Sequence, residues 1–393
     1  MSLTLRPLSD DEIPTGYQLG RLAFGGPPEP PAQFVQPVPG VTRLGAFDTR
    51  GRLVGKATDV GHEQWWGGRR VVAADVAGVA VAPEARGGGT ARALLARLLA
   101  DARDRAAAVS ALHPTVSAAY RSLGWEVAGV MLAGSLDSAS LPSAPAPGIA
   151  LRPGGPDDVP LLTDLYEQVA RGTNGLVTRR GGMFDVPSDA PLGEDIDSIT
   201  VAESDGIPVG VLGFGRGRSY GPEAKLEVHH LHATTVEAAR ALVGVLAGWR
   251  TVTRSVQLSF PVAHAVAAVL PLERATDVTS QPWMHRPVDV VRAVADRGWP
   301  SYVSGRVRFH LVDDLAPWNA ADWDLSIADG RGELTPAATA AELWLSVRGF
   351  AALYCGVATG AGLVQAGLAG GSDDPAALDL LGCGPAAALL DYF

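Results

Sequence analysis

The chain has 393 residues, 47% hydrophobic and 19% charged, with a formal net charge of −10. That length allows two to three domains of about 150 residues. The acidic balance argues against a nucleic-acid partner, which wants a basic face, and favours a cationic ligand steered by the overall field. Two cysteines, Cys355 and Cys383, with no CxxC, exclude a disulfide framework and point to the cytoplasm. The opening MSLTLRPLSDDEIP lacks the apolar core of a signal peptide, and no apolar run reaches the roughly 18 residues of a membrane span.

Two stretches read as linkers: SASLPSAPAPG (Ser138–Gly148) and TSQPWMHRPVD (Thr279–Asp289). They divide the chain into blocks 1–145, 146–285 and 286–393. The first block opens with a helical pattern around Tyr17–Phe24. Two strands follow, joined by the hairpin signal DTRG. A β-rich run, RRVVAADVAGVAVAP, ends at Pro83. Three glycines then precede a helix whose apolar positions are Ala91, Leu94, Leu95, Leu98, Leu99 and Ala102, one buried face at helical spacing.

The second block starts LRPGGPDDVPLLTDLYEQVAR, built like the chain start LRPLSDDEIPTGYQLGRLAF: a strand ending Leu-Arg-Pro, an acidic pair, a helix. A second hairpin, ITVAESDGIPVGVLGFGRG, extends this weak internal repeat. The repeat enters its later helix through LHATTVEAARALVG, without a glycine-rich loop. The third block alternates short strands and helices and reads as α+β.

The glycines raise a chemical question, because one would suffice for a turn. A strand, a glycine-rich turn and a helix start form an anion site: first-turn amides have no intrahelical partner and the helix dipole is positive there. The P-loop pattern fails for want of lysine, and GGGTAR does not supply the dinucleotide fingerprint. Arg86-Gly87-Gly88-Gly89-Thr90-Ala91 does read R-x-x-G-x-A after VAGVAVAPEA.

That motif resembles the acetyl-CoA pyrophosphate loop of the GNAT N-acetyltransferases. The resemblance implies that Arg86, Gly87, Gly88, Gly89, Thr90 and Ala91 hold the pyrophosphate, and that Val79, Ala80 and Val81 pair with the pantetheine arm. ALHPTVSAAYRSLGWEVAG places Tyr120 before LGW, and the chain closes on AALLDYF; together these resemble the Eis-like (enhanced intracellular survival) acetyltransferases. The implied fold is α/β (α+β): tandem GNAT-like domains, the second degenerate and without cofactor, then a sterol-carrier-like α+β domain. The implied form is a homo-oligomer, with a hexamer possible. In such proteins a terminal carboxylate enters the active site, which here would be that of Phe393. This chain departs from relatives that carry several loop arginines, and it has Gly78 where aminoglycoside-acetylating relatives have an aromatic.

The expected chemistry is attack of a primary amine on the thioester of acetyl-CoA, with no metal. The acceptor would be a small molecule (an aminoglycoside or polyamine) or a lysine side chain. Tyr120 is the expected acid for the leaving thiolate, since a phenol with pKa near 10 suits a thiolate of about 8.5. The Phe393 carboxylate is the expected base or ammonium anchor, with Asp391 adding negative charge. Trp65, Phe24 and Phe34 are expected to line the acceptor pocket. His230 and His232 share a strand face, but core packing is favoured over metal binding there. Two other functions compete: an apolar-ligand or lipid carrier using GFAALYCGVATGAGLVQAGLAG, and a non-catalytic acetyl-CoA sensor.

Overall fold

The computed structural model describes residues 2–393 other than 32–33, 35, 182–183, 185–189, 194, 218–220, 262–263 and 373. Twelve strands form one sheet and five a second. No helix of the described residues is long and apolar enough to cross a membrane.

The first half starts with edge strand β1 (Thr4–Pro7) and helix α1 (Ile13–Phe24). Hairpins then connect β2 (Val41–Phe47), β3 (Leu53–Trp66) and β4 (Arg69–Val81). The glycine loop leads into α2 (Thr90–Asp104), which returns the chain to β5 (Val109–Leu112), parallel to β4. Short α3 (Ser117–Arg121) and long β6 (Glu126–Asp137) complete it. Helix α2 buries Leu94, Leu95, Leu98, Leu99 and Ala102 as its spacing predicts; Thr90, rather than Ala91, completes the buried face.

The repeat is real in three dimensions. Strand β7 (Ala150–Pro153) and α4 (Val159–Ala170) are followed by the hairpin β8 (Ser198–Ser204) and β9 (Ile207–Arg216), then β10 (Lys225–Ala233), α5 (Val236–Ala247) and β11 (Ser255–Ser259). Each half opens on the same device. Arg6 pairs with Glu12 at 2.6 Å and Arg152 with Asp158 at 2.8 Å, and each carboxylate also accepts a backbone N–H at the turn into its helix, from Ser9 and Gly155.

The stretch expected as a second linker is instead most of a strand, β12 (Thr276–Pro287), inserted between β5 and β6. Its two prolines mislead a sequence reading. Pro282 stands beside a register shift and Pro287 ends the strand, places where a missing N–H is tolerated. Strand order in the large sheet is β1-β2-β3-β4-β5-β12-β6-β11-β10-β9-β8-β7, so the halves interlock at its centre.

The last unit packs α6 (Val290–Asp296), α7 (Val347–Tyr354) and α8 (Gly360–Gln365) with a sheet of β13 (Gly305–Val312), β14 (Asp322–Ala328), β15 (Arg331–Pro336), β16 (Trp344–Ser346) and β17 (Ala369–Gly370). One apolar cluster runs from Trp66, Val71 and Trp283 of the large sheet to Phe309, Phe350 and Tyr354 of this unit, and it includes Phe393. A fully buried ion pair, Arg286–Asp313 at 2.6 Å, crosses the same seam. Asp313 also accepts from Ala316 N–H and Asn319 Nδ2, so the buried charge is compensated by several donors.

Candidate active site

Strands β4 and β5 pair at Ala73↔Val109 and Val76↔Leu112 and then part. Beyond that point Val79, Ala80 and Val81 keep β3 on one side only, where Ala80 faces Lys56 and Val81 faces Gly55. A bulge at this position puts Gly78 at φ +55°, a left-handed backbone that glycine adopts without strain. The result is an open sheet edge, the kind of edge an extended ligand can join as an extra strand.

The edge leads straight to the glycine loop. Gly87 (φ +76°) and Gly89 (φ +82°) both require glycine, and a Cβ on either would meet nothing within 4 Å. Gly89 is the residue before α2 and offers no side-chain cap, so the first-turn amides of α2 face open space. Arg86 lies at the surface with its Nε 3.3 Å from the Val81 carbonyl oxygen. Thr90 is buried and its hydroxyl donates to the Ala85 carbonyl, while Ala91 is half-buried. A cradle of free amides beside a helix N-terminus suits a phosphate-bearing ligand.

Tyr120 is half-buried on α3, and its ring meets Trp125 edge-on at 6.4 Å. Burial, and then the nearby Tyr392, raise its phenol above the ordinary value of about 10.

The last residues of the chain run into the space between the two halves. Asn174 begins the docking by donating Nδ2 to the Pro385 carbonyl and accepting the Gly67 N–H, and its own carbonyl accepts the Ala388 N–H. Asp391 is then fixed from three directions. Arg179 Nε donates to Oδ1 at 2.8 Å, the Tyr166 hydroxyl lies 3.3 Å from Oδ2, and His113 Nε2 lies 3.1 Å from the backbone carbonyl. Arg179 also stacks over the Tyr166 ring at 4.0 Å. Tyr392 stacks on His113 at 4.5 Å, and Phe393 is buried between His113 and His62 at 5.3 and 5.8 Å.

The fold thus brings Asp391, Trp65 and Tyr166 together: Trp65 packs with Tyr166 and Ala388. Phe24 and Phe34 are not gathered there. Each is 53% exposed, and Phe34 sits 5.8 Å from the ring of Tyr17 on α1. His230 and His232 both lie 3.5 Å from Arg179. Burial first, then that cation, lowers both, His230 to about 3 and His232 well below the usual imidazole value.

Two features escape sequence reasoning. Lys56, one of only two lysines, is largely enclosed on β3. Its amino group lies 3.5 Å from where a side chain at Gly78 would begin and 2.9 Å from the equivalent point at Gly20. Burial, and then Arg43, lower its pKa. The second is a polar network inside the sheet. His62 Nδ1 lies 3.0 Å from Asp75 Oδ2, and Asp75 Oδ1 accepts Ala111 N–H and Gln64 Nε2. Polar residues in otherwise apolar strands were the available signal.

Residues 4–128 match an acetyltransferase (GNAT) domain and residues 290–383 a sterol carrier protein domain. The chain thus carries a GNAT acetyltransferase domain in its first third and is an N-acetyltransferase. An uncharacterized N-acetyltransferase of Streptomyces coelicolor is 28% identical over 378 residues, covering 91% of this chain and 90% of its own. The crystal structure of a GCN5-related N-acetyltransferase from Kribbella flavida superposes with a TM-score of 0.85 at 28% identity, covering 100% of this chain and 98% of that one. Eis1 from Mycobacterium abscessus shares the fold, with a TM-score of 0.74 at 23% identity and full coverage of both chains. This GNAT enzyme therefore has the Eis-like architecture: a GNAT domain first, a sterol-carrier domain last, and between them a second half built on the first one's plan.

Proposed function

We propose that this enzyme moves the acetyl group of acetyl-CoA to a primary amine of a cationic acceptor, of the aminoglycoside, polyamine or lysine type. The open edge of β4 running into an uncapped glycine loop is the observation that carries this reading. Val79, Ala80 and Val81 take the pantetheine arm. Arg86, Gly87, Gly88, Gly89, Thr90 and Ala91 take the pyrophosphate. The division into 1–145, 146–285 and 286–393 serves this chemistry: the first unit binds cofactor, the second lends Tyr166 and Arg179, and the third delivers the end of the chain.

The amine nitrogen attacks the thioester carbon, the C–S bond breaks, and the departing thiolate takes the Tyr120 proton. A phenol raised by burial holds that proton until a thiolate of about 8.5 forms nearby. A carboxylate on Phe393 is the base or the ammonium anchor, and Asp391, with Trp65, shapes its surroundings. A homo-oligomer is part of the same reading.

The test is an acetyl-transfer screen over kanamycin, spermidine and Nα-acetyl-lysine, read by free thiol. Thiol release above the amine-free rate is expected with at least one; none with any amine would overturn the reading. A C-terminal tag, which turns the proposed carboxylate into an amide, is expected to cripple transfer where an N-terminal tag does not.

A further inference from the structure

The attacking nitrogen must lose a proton, and several carboxylates of the first half and of the chain's last residues are already committed. Asp391 is held by Arg179 and Tyr166. Asp59 is held by Arg105 through contacts of 2.7 and 3.1 Å, and Glu126 by Arg121 and Arg348. His62 differs. Its side chain is 1% exposed, its Nδ1 faces Asp75, and its Nε2 is buried with no hydrogen-bond partner among the described residues. A buried polar atom left unpaired is costly, so its retention asks for a use. The ring stands between Phe184 at 5.2 Å and Phe393 at 5.8 Å, where the end of the chain is seated.

We propose that His62 is the base that receives the proton of the attacking amine and that Asp75 is its positioning residue; this rests on the acetyl-transfer reading above. Asp75 is fully buried, and the Ala111 N–H and Gln64 hold its other oxygen, so it cannot swing away. A carboxylate at Nδ1 fixes the proton on that nitrogen and leaves the Nε2 lone pair free. It also stabilises the imidazolium once formed. As the N–C bond forms and the C–S bond breaks, the amine proton passes to Nε2 and the thiolate takes the Tyr120 proton. Solvent returns the enzyme to its starting state, and the sum is amine plus thioester to amide plus thiol.

His113 is the competitor. Its Nδ1 also meets no side-chain partner among the described residues, and its ring contacts are backbone carbonyls, of Asp391 and Pro282. Asp75 and Asp391 act on it through space, but burial outweighs them and lowers its pKa, and neither carboxylate is hydrogen-bonded to its ring as Asp75 is to His62. With His62 as the base, a carboxylate on Phe393 is left the role of ammonium anchor.

The test uses the full chain and the best amine of the screen. In H62Q, kcat is expected to fall about 10²–10⁴-fold, with acetyl-CoA affinity within twofold of wild type. D75N keeps an oxygen for Ala111 N–H but presents an NH₂ to Nδ1, which moves the imidazole proton to Nε2; a comparable kcat loss is expected with little change in the amine KM. Nitrogen-15 NMR of histidine-labelled wild type, with the His62 signal identified by its absence in H62Q, is expected to show the proton on Nδ1 and none on Nε2. A kcat for H62Q within threefold of wild type overturns the proposal, as does a proton found on Nε2 in the wild type. A wild type that transfers to no amine defeats the acetyl-transfer reading as well, whereas an active wild type with an unaffected H62Q defeats this inference alone.

Discussion

The loops entering α2 and α5 occupy matching places in the two halves and solve the same problem in opposite ways. Every helix start leaves amides without partners. At α5 the chain satisfies one of them itself, since the Thr235 hydroxyl accepts the Ala238 N–H at 3.2 Å. At α2 Gly89 has no side chain to offer and the amides stay open. The strands before these helices differ less. Both β4 and β10 are bulged, and each pairs with a parallel neighbour only over its early residues. Duplication therefore kept the frame, while the cap decides which half can take an anion. In the second half the bulge region faces Arg179, whose charge is used to hold Asp391.

The largest effect is expected where only the first half has machinery. Y120F keeps the ring and removes the proton, so kcat should fall about 10²–10⁴-fold with acetyl-CoA affinity unchanged. Because burial raises the phenol, wild-type activity should show no alkaline limb from this group below about pH 10. A Y120F enzyme with wild-type turnover would leave the two halves chemically indistinguishable.

The second half's contribution is tested by R179M, which removes the partner of Asp391 and the cation over Tyr166. Turnover should drop about tenfold as the end of the chain loosens, by the general sensitivity of rate to positioning. Carboxypeptidase should trim the variant faster than wild type. Equal trimming would show that Arg179 does not hold the end in place.

Acid should strike the same cluster. His230, lowered to about 3, stays neutral in the folded chain, whereas in the unfolded chain it takes a proton near 6.5; His232 is shifted in the same direction. The unfolded state therefore binds more protons below about pH 6.5, and stability should fall from there toward pH 3. Melting temperature followed from pH 7.5 to 4 should decline less steeply in a His230→Gln, His232→Gln double variant. An unchanged slope would assign the acid sensitivity to other groups.

The smallest expected effect is at the self-capped helix. T235A should cost about 1 kcal/mol of stability and leave acetyl-CoA binding untouched. A change in binding there would mean that the second half also engages the cofactor.

Local signals made the binding loop readable. R-x-x-G-x-A is contiguous, and the helix after it shows its buried face at regular spacing. The repeat was readable because Leu-Arg-Pro and its acidic partner recur as a unit, and Arg6–Glu12 and Arg152–Asp158 explain why. Strand β12 was hidden because its pairing partners lie well over a hundred residues away and its prolines mimic a linker. The His62–Asp75 pair was hidden for a related reason: its members sit 13 residues apart on two strands, and only the hairpin register brings them together. Asn174 and Arg179 lie in the irregular stretch after α4, where no periodicity marks them. Phe24 and Phe34 flank a proline-rich stretch, a cue that says nothing about where α1 ends in space.

The central claim is that one helix start of two is open for the cofactor. Isothermal titration of acetyl-CoA into wild type, G89V and T235A tests it most directly. Valine at position 89 would have to adopt φ +82° and would put its branched side chain in the open cradle. The account predicts one acetyl-CoA per chain in wild type and in T235A, and at least a hundredfold weaker binding in a folded G89V. Two sites per chain, or wild-type affinity in G89V, would contradict it.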